Sequence, residues 1–203
     1  MMSCLTARTI EACFRTEGCG TEGGRGPATW DRYIQDGTLG IKIAVDSYHR
    51  YKEDVQLLKA MGVDTYRFSI SWSRIFPAGT IDGGVNQEGI DFYNHFINDL
   101  IANGITPFAT LFHFDLPTAL DTKYTGFLSI DIVEDFKAYA DLCFKTFGDR
   151  VKHWATINEP QVWGQYGFTN LDPNANAATD PFLSTHHVLL AHAAAAKLYR
   201  VWR

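Results

Sequence analysis

The hydrophobic positions along the chain predict the same unit three times: an amphipathic helix, a glycine that ends it, and an apolar strand. The three segments read LKAMG-VDTYRFSI, LIANG-ITPFATLF and KTFG-DRVKHWATIN, with glycine at positions 62, 104 and 148. A glycine directly after a helix often adopts the left-handed conformation that terminates it. The spacing of the glycines is typical of βα units with extended loops and not of a short tandem repeat.

Each predicted helix carries one apolar stripe at helical spacing, which indicates that one face packs against a core. The strands are apolar almost throughout instead of alternating, as expected for a parallel sheet that is covered on both faces. The stripes comprise Tyr51, Val55, Leu58 and Met61 in the first helix, Tyr93, Phe96, Ile97, Leu100 and Ile101 in the second, and Val133, Phe136, Ala140, Cys143 and Phe147 in the third.

Two further elements extend this pattern at the ends of the chain. Residues 10–14 are a predicted first strand, and residues 180–203 are a predicted closing helix. Together the segments predict four βα units in an α/β fold. The length of the chain favours a single domain over residues 1–203.

The composition is that of a globular protein and narrows the range of partners. The 203 residues are 46% hydrophobic and carry a net charge of -5, without a basic face, so no nucleic-acid partner is predicted. No stretch reaches the roughly 20 apolar residues of a spanning helix, so no membrane role is predicted. Arg8, Glu11 and Arg15 interrupt the first apolar residues, and no signal peptide is predicted.

Neither a metal nor a cofactor is predicted. The four cysteines lack zinc-type C-x-x-C spacing and are interpreted as free, buried thiols. Three histidines of the closing helix are not separated by the four residues that would place them together on one face, so helix packing is the favoured interpretation. These residues are Cys4, Cys13, Cys19, Cys143, His186, His187 and His192.

Polar residues occur where the predicted strands end, and the carboxyl ends of parallel strands meet at one face of the sheet. Carboxylates, amides and aromatic rings together suit a neutral, hydroxyl-rich ligand such as a sugar, with Trp72 predicted at a ligand wall. From the residues alone, Glu159 is either half of a catalytic carboxylate pair or a polar residue that ends a strand. The strand-end residues are Glu17, then Ser71 and Trp72, then His113, Phe114 and Asp115, then Asn158 and Glu159.

Six segments resemble the amino-terminal half of the family 1 glycoside hydrolases, and plant β-glucosidases in particular. The resemblance covers residues 17–203 and implies a (β/α)8 TIM barrel, of which this chain would hold the first four βα units. It also implies hydrolysis of β-glucosides with retention of configuration by two glutamates. The segments are GPATWD, AVDSYHRYKEDVQLLKAMGVDTYRFSISWSRIFP, GGVNQEGIDFYN, TLFHFDLP, FGDRVKHWATINEP and LLAHAAAAKLYR.

The resemblance implies a role for each of five residues. Glu159 lies in the T-x-N-E-P motif and would act as general acid and then as general base. Asn158 would bind the 2-hydroxyl of the sugar, and His113 would bind another hydroxyl of the same ring, with Phe114 stacking beside it. Arg67 is similar to the family arginine that supports the nucleophile. A β-glucoside or glucose is therefore the implied ligand.

The sequence departs from the family pattern at three places. Arg15 replaces a sugar-binding glutamine, and Phe114 replaces the tryptophan of F-H-W-D-L-P. The E-N-G motif that carries the family nucleophile does not occur in these 203 residues. The chain is therefore expected to carry the acid/base side of the site, to be inactive alone, and to self-associate through exposed barrel edges. The alternative is a non-catalytic sugar-binding or partner-binding protein that keeps only the fold.

Overall fold

Three parallel strands form the sheet in the part of the chain that the structure describes. The structure is a computed structural model, and it describes residues 17, 18, 20–35, 45–166 and 175–202. The predicted strand at residues 10–14, Arg15, and the cysteines at positions 4, 13 and 19 lie outside the described residues. The strands are β1 (Thr65–Ser69), β2 (Thr106–Phe112) and β3 (His153–Ile157), in the order β1-β2-β3. This parallel order confirms the α/β fold.

Helices occupy the connections between the strands, as in the outer layer of a βα barrel. Short 3₁₀ turns at Glu22–Gly24, Ile81–Gly83 and Gly126–Leu128 lie between them. The helices are α1 (Thr29–Gln35), α2 (Ser47–Ala60), α3 (Trp72–Ile75), α4 (Gln87–Ala102), α5 (Thr118–Tyr124), α6 (Asp131–Phe147), α7 (Pro160–Tyr166) and α8 (Asp180–Trp202).

The three glycines that follow α2, α4 and α6 end their helices in two different ways. Gly62 and Gly104 have φ of 68° and 78°, which is the predicted left-handed conformation. The sequence predicts a left-handed Gly148 as well, but this prediction is wrong: the φ of Gly148 is -69°. A Cβ atom on Gly148 would lie 2.4 Å from the carbonyl oxygen of Phe144. At this position glycine therefore serves close backbone packing and not a positive φ.

The core is aromatic and is held by a hydroxyl group from α6. Tyr139 donates to the carbonyl oxygens of Ile70 (2.8 Å) and Leu111 (3.0 Å), at the ends of two neighbouring strands. Trp72 stacks on the Tyr139 ring with 5.1 Å between centroids and is fully buried. The prediction that Trp72 lies at a ligand wall is therefore wrong, because its indole N–H is also used, by the carbonyl oxygen of Gly79.

The predicted apolar stripes are mostly buried. Cys143 is a free, buried thiol as predicted. Met61 and Ile101 are exceptions, with 53% and 42% of their surface exposed. Both lie in the last turn of a helix or just after it, before the chain enters the next strand. Among the described residues, no helix is long and apolar enough to cross a membrane.

Candidate active site

The polar ends of β2 and β3 lie side by side. The backbone N–H of Asn158 donates to the carbonyl oxygen of Phe112 at 2.9 Å, so the pairing of these strands continues one residue past β3. His113 follows Phe112 directly, and Glu159 follows Asn158. The residues predicted from two separate strand ends are thus brought to one edge of the sheet. Both His113 and Asn158 are buried, with exposures of 7% and 6%.

Arg67 reaches this edge from β1 and bonds to a residue of β2 and to the residue that follows β3. Its Nε donates to the Thr110 hydroxyl on β2, and its Nη2 donates to Oδ1 of Asn158, each at 2.8 Å. Burial lowers the pKa of the Arg67 guanidinium, while the negative charge of Glu159 opposes this shift. The predicted residues Arg67 and Asn158 are therefore in direct contact, and the charges of Arg67 and Glu159 interact.

Glu159 occupies the turn between β3 and α7 with its side chain exposed to solvent. Its carbonyl oxygen accepts hydrogen bonds from the backbone N–H groups of Val162 (2.9 Å) and Trp163 (3.2 Å). Pro160, the next residue, is the first residue of α7, a position where the missing N–H of proline costs nothing. The φ of Glu159 is 38°, an uncommon value for a residue with a side chain. The carboxylate is thus presented by a constrained turn.

The 113–115 turn after β2 also contains a left-handed residue. Phe114 has a φ of 65°, and its ring stacks on Trp163 of α7 with 5.8 Å between centroids and an interplanar angle of 16°. The rings of His113 and Phe114 meet edge to face at 5.5 Å. The backbone N–H of His113 donates to Oδ1 of Asp115 at 3.2 Å. Phe114 therefore joins the turn after β2 to the helix after β3.

Asp115 is a buried acid beside the predicted site. Burial raises the pKa of its carboxyl to about 7, while the His113 backbone N–H favours the charged form. The charge of Glu17 adds to the increase, and that of Arg25 opposes it. Sequence reasoning placed Asp115 at a strand end but gave it no role in the site.

Glu17 is buried near the end of β1 and is held there by two side chains. The Arg74 Nε donates to Oε2 of Glu17 at 2.9 Å, and the hydroxyl of Tyr93 donates to Oε1. Both members of this ion pair are buried. A carboxylate with these partners stabilises the packing of the amino-terminal segment on α3 and α4. Glu17 is therefore not a candidate for the second catalytic carboxylate that would act together with Glu159.

Thr110 is a site neighbour that the sequence did not single out. It lies in the centre of β2 and is fully buried. Its hydroxyl is the acceptor for Arg67. The available signal was a polar residue inside an apolar strand, but a buried threonine is common in strands and no spacing rule links positions 67 and 110.

The arrangement combines a cation, an amide and an exposed carboxyl group at the carboxyl ends of the strands. Such a set can donate hydrogen bonds to hydroxyl groups and can transfer a proton. No cluster of three or more His, Cys, Asp or Glu side chains suited to a metal ion occurs among the described residues.

Comparison with known proteins shows a family match over almost the whole chain. The family model described as Glycosyl hydrolase family 1 matches residues 7–202. The furostanol glycoside 26-O-β-glucosidase of Hellenia speciosa is 52% identical over 208 aligned positions, which cover 93% of this chain and 37% of that protein.

Solved structures show the same similarity. The rice β-glucosidase Os3BGlu6 superposes with a TM-score of 0.85 at 46% identity, and the match covers 90% of this chain and 42% of that one. The β-glucosidase of the fungus Humicola insolens, solved in complex with glucose, superposes with a TM-score of 0.84 at 44% identity, covering 94% of this chain and 42% of that one. The chain thus spans about two fifths of the length of these relatives.

Proposed function

This chain belongs to glycosyl hydrolase family 1, and on that premise we propose that it supplies the acid/base side of a retaining β-glucosidase site. Glu159 is the general acid and then the general base. Asn158 binds the 2-hydroxyl of the sugar, His113 binds a second hydroxyl, and Phe114 lines the ring. Arg67 supports the nucleophile. The substrate class is β-glucosides, in keeping with the names of the relatives.

The observation that carries this proposal is the hydrogen bond from Arg67 Nη2 to Oδ1 of Asn158, next to Glu159. A guanidinium has only donors, so the oxygen of the amide must face Arg67. The Nδ2 group of Asn158 is then directed away from Arg67 and is available to donate to a hydroxyl oxygen. Asn158 thereby offers a donor beside the carboxyl group of Glu159.

The chemistry requires Glu159 to act twice. In the first step its carboxyl proton moves to the glycosidic oxygen as the bond from C1 to that oxygen breaks, while a second carboxylate bonds to C1. In the second step the Glu159 carboxylate removes a proton from water as the water oxygen attacks C1 and releases the second carboxylate. Retaining enzymes hold the two carboxyl groups about 5 to 5.5 Å apart.

The second carboxylate is proposed to come from outside these 203 residues. The sequence contains no E-N-G motif, and Glu17 is held in a buried ion pair with Arg74. The positive charge of Arg67 stabilises that second carboxylate. By itself the chain is expected to bind a glucoside without turning it over.

The test compares the chain alone with the chain joined to the carboxy-terminal part of the rice relative. The joined protein should hydrolyse an alkyl β-glucoside with retention, and Glu159→Ala should abolish most of that activity, because the alkyl leaving oxygen needs a proton. The chain alone should show no hydrolysis above its own Glu159→Ala variant. Glu159-dependent hydrolysis by the chain alone would overturn the proposed division of the site. A joined protein whose activity does not depend on Glu159 would overturn the proposed role of Glu159.

A further inference from the structure

We propose that Thr110 is a positioning residue, which sets the orientation of the Asn158 amide through Arg67. Thr110 lies opposite Ser69 of β1 and Ala155 of β3, in the centre of the described sheet. Its carbonyl oxygen accepts a hydrogen bond from the N–H of Ile70 at 2.9 Å. The residue is therefore anchored by the backbone of a fully buried strand position.

The Thr110 hydroxyl is a stiff acceptor for a flexible side chain. Threonine is branched at Cβ and has few rotamers, so its oxygen has a defined place on the sheet. Arginine, in contrast, has a long side chain with many rotamers. A single bond to Asn158 would leave the guanidinium of Arg67 free to rotate about that contact. The second bond, from Nε to the Thr110 hydroxyl at 2.8 Å, fixes the plane of the group.

Both bonds use one edge of the guanidinium. Nε and Nη2 lie on the same side of the planar group, so Thr110 and Asn158 are held in a fixed relation to each other. Since Nη2 can only donate, Oδ1 of Asn158 is kept toward Arg67 and Nδ2 is kept away from it. The strands β1, β2 and the end of β3 each contribute one member of this chain of contacts.

The consequence concerns which sugars the site accepts, and it rests on the proposed function. An Asn158 side chain held with Nδ2 outward requires a ligand oxygen at that point. A sugar that lacks the 2-hydroxyl would leave the donor without this acceptor. Thr110 thus contributes to selectivity for the 2-hydroxyl without touching the sugar.

Three variants of the 203-residue chain test this inference by nuclear magnetic resonance. Thr110→Val keeps the shape and removes the hydroxyl, whereas Thr110→Ser keeps the hydroxyl. Thr106→Val makes the same change at an exposed position of the same strand and serves as the matched control. The measured quantities are hydrogen exchange at the Arg67 Nε–H and the side-chain amide signals of Asn158.

Thr110→Val should speed exchange at the Arg67 Nε–H about tenfold or more, as expected for the loss of one hydrogen bond, and should shift the Asn158 amide signals. Thr110→Ser and Thr106→Val should resemble the parent chain. Unchanged exchange in Thr110→Val, or equal effects of Thr110→Val and Thr110→Ser, would overturn the positioning role.

Titration with glucose and with 2-deoxyglucose separates this inference from the proposed function. In the parent chain glucose should shift the Asn158 amide signals more than 2-deoxyglucose does, and Thr110→Val should reduce that difference. A difference that persists in full in Thr110→Val would count against the inference. If glucose causes no shift in the parent chain, the proposed sugar site is wrong, and the exchange rates still decide whether Thr110 positions Arg67.

Discussion

Two residues with proposed roles, Phe114 and Glu159, have left-handed backbone conformations, with φ of 65° and 38°. For a residue with a Cβ this conformation costs roughly 1 to 2 kcal/mol. Neighbouring contacts hold it in place. The Glu159 carbonyl oxygen accepts the first bonds of α7, and the Phe114 ring stacks on Trp163. The direction in which Glu159 presents its carboxyl group is therefore built into the backbone.

Also at the residue scale, the raised pKa of Asp115 predicts that the stability of the chain depends on pH. Its pKa is raised from 3.8 to about 7 in the folded chain. Between these values the folded state keeps a proton that the unfolded state has released, so this group lowers the free energy of unfolding as pH rises. Asp115→Asn keeps an acceptor for the His113 N–H and does not titrate.

The expected result is that the stability of Asp115→Asn relative to the parent chain increases from about pH 4 to about pH 7 and then levels off. Urea unfolding of both proteins across this range measures the difference. A difference that stays constant with pH would show that Asp115 titrates normally.

At the scale of elements, the amino-terminal segment is attached to the sheet layer by buried charges. Arg74 of α3 pairs with Glu17, donates to the carbonyl oxygen of Glu22 at 2.9 Å, and lies 4.3 Å from the centroid of the Tyr48 ring. Arg25 forms a second buried pair with Asp31 through two hydrogen bonds of 2.7 and 2.8 Å. The Arg74 contacts fix the segment against α3, and the Arg25 pair stabilises the segment internally by joining it to α1.

Arg74→Met should therefore destabilise the chain strongly. Removing one member of a buried ion pair leaves the other charge uncompensated and costs about 3 to 5 kcal/mol. The matched control is Arg50→Met, which breaks the exposed pair between Arg50 and Glu53. That loss should be much smaller, because an exposed ion pair contributes little to stability. Urea unfolding distinguishes the two, and equal losses would show that the Arg74 network contributes no more than a surface pair.

The long elements were predictable from the sequence because their signals are local. Apolar stripes at helical spacing and apolar strands after Gly62 and Gly104 locate α2, α4, β1 and β2. The short helices α1, α3, α5 and α7 have too few residues for such a period, and tertiary contacts decide them. The ion pair of Glu17 likewise joins positions far apart in the chain, which no spacing rule reveals.

At the scale of the whole molecule, the sheet has an open side at β3. Within the described residues β3 pairs only with β2. A groove of about 540 Å³ runs between this strand and α8, and its lining includes Trp154, Thr156, Ile157 and Leu189. An unpaired strand edge beside apolar surface promotes association between chains. The sequence predicts self-association of the isolated chain, and we propose that it occurs through the unpaired edge of β3 and this groove.

Ala155→Lys should reduce this association because it places a charge in the groove and on the strand edge. Ala193→Lys makes the same change on α8 at an exposed position that does not line the groove, and it should leave association unchanged. Light scattering at micromolar concentration measures the mass of each. A parent chain that stays monomeric would contradict the proposed self-association. Equal behaviour of the two variants would contradict its location at the edge of β3.

The central claim at this scale is that these residues carry the acid/base side of a glycosidase site. Family membership was recognisable from long motifs such as TINEP, and it is confirmed. The roles of Glu159, Asn158, His113, Phe114 and Arg67 remain proposals that the geometry supports. Thr110 was not predictable, because its contact with Arg67 depends on strand pairing.

The most direct test measures how the rate loss caused by Glu159→Gln depends on the leaving group. It uses the chain joined to the carboxy-terminal part of the rice relative. Glu134→Gln, which changes an exposed residue paired with Lys137, is the matched control and should have no effect. Glu159→Gln should slow an alkyl β-glucoside by about 10² to 10⁴ fold, since its leaving oxygen needs a proton. A nitrophenyl β-glucoside, whose leaving group needs no proton, should lose far less in the glycosylation step. Equal losses on both substrates would contradict the account, because Glu159 would then not be the proton donor.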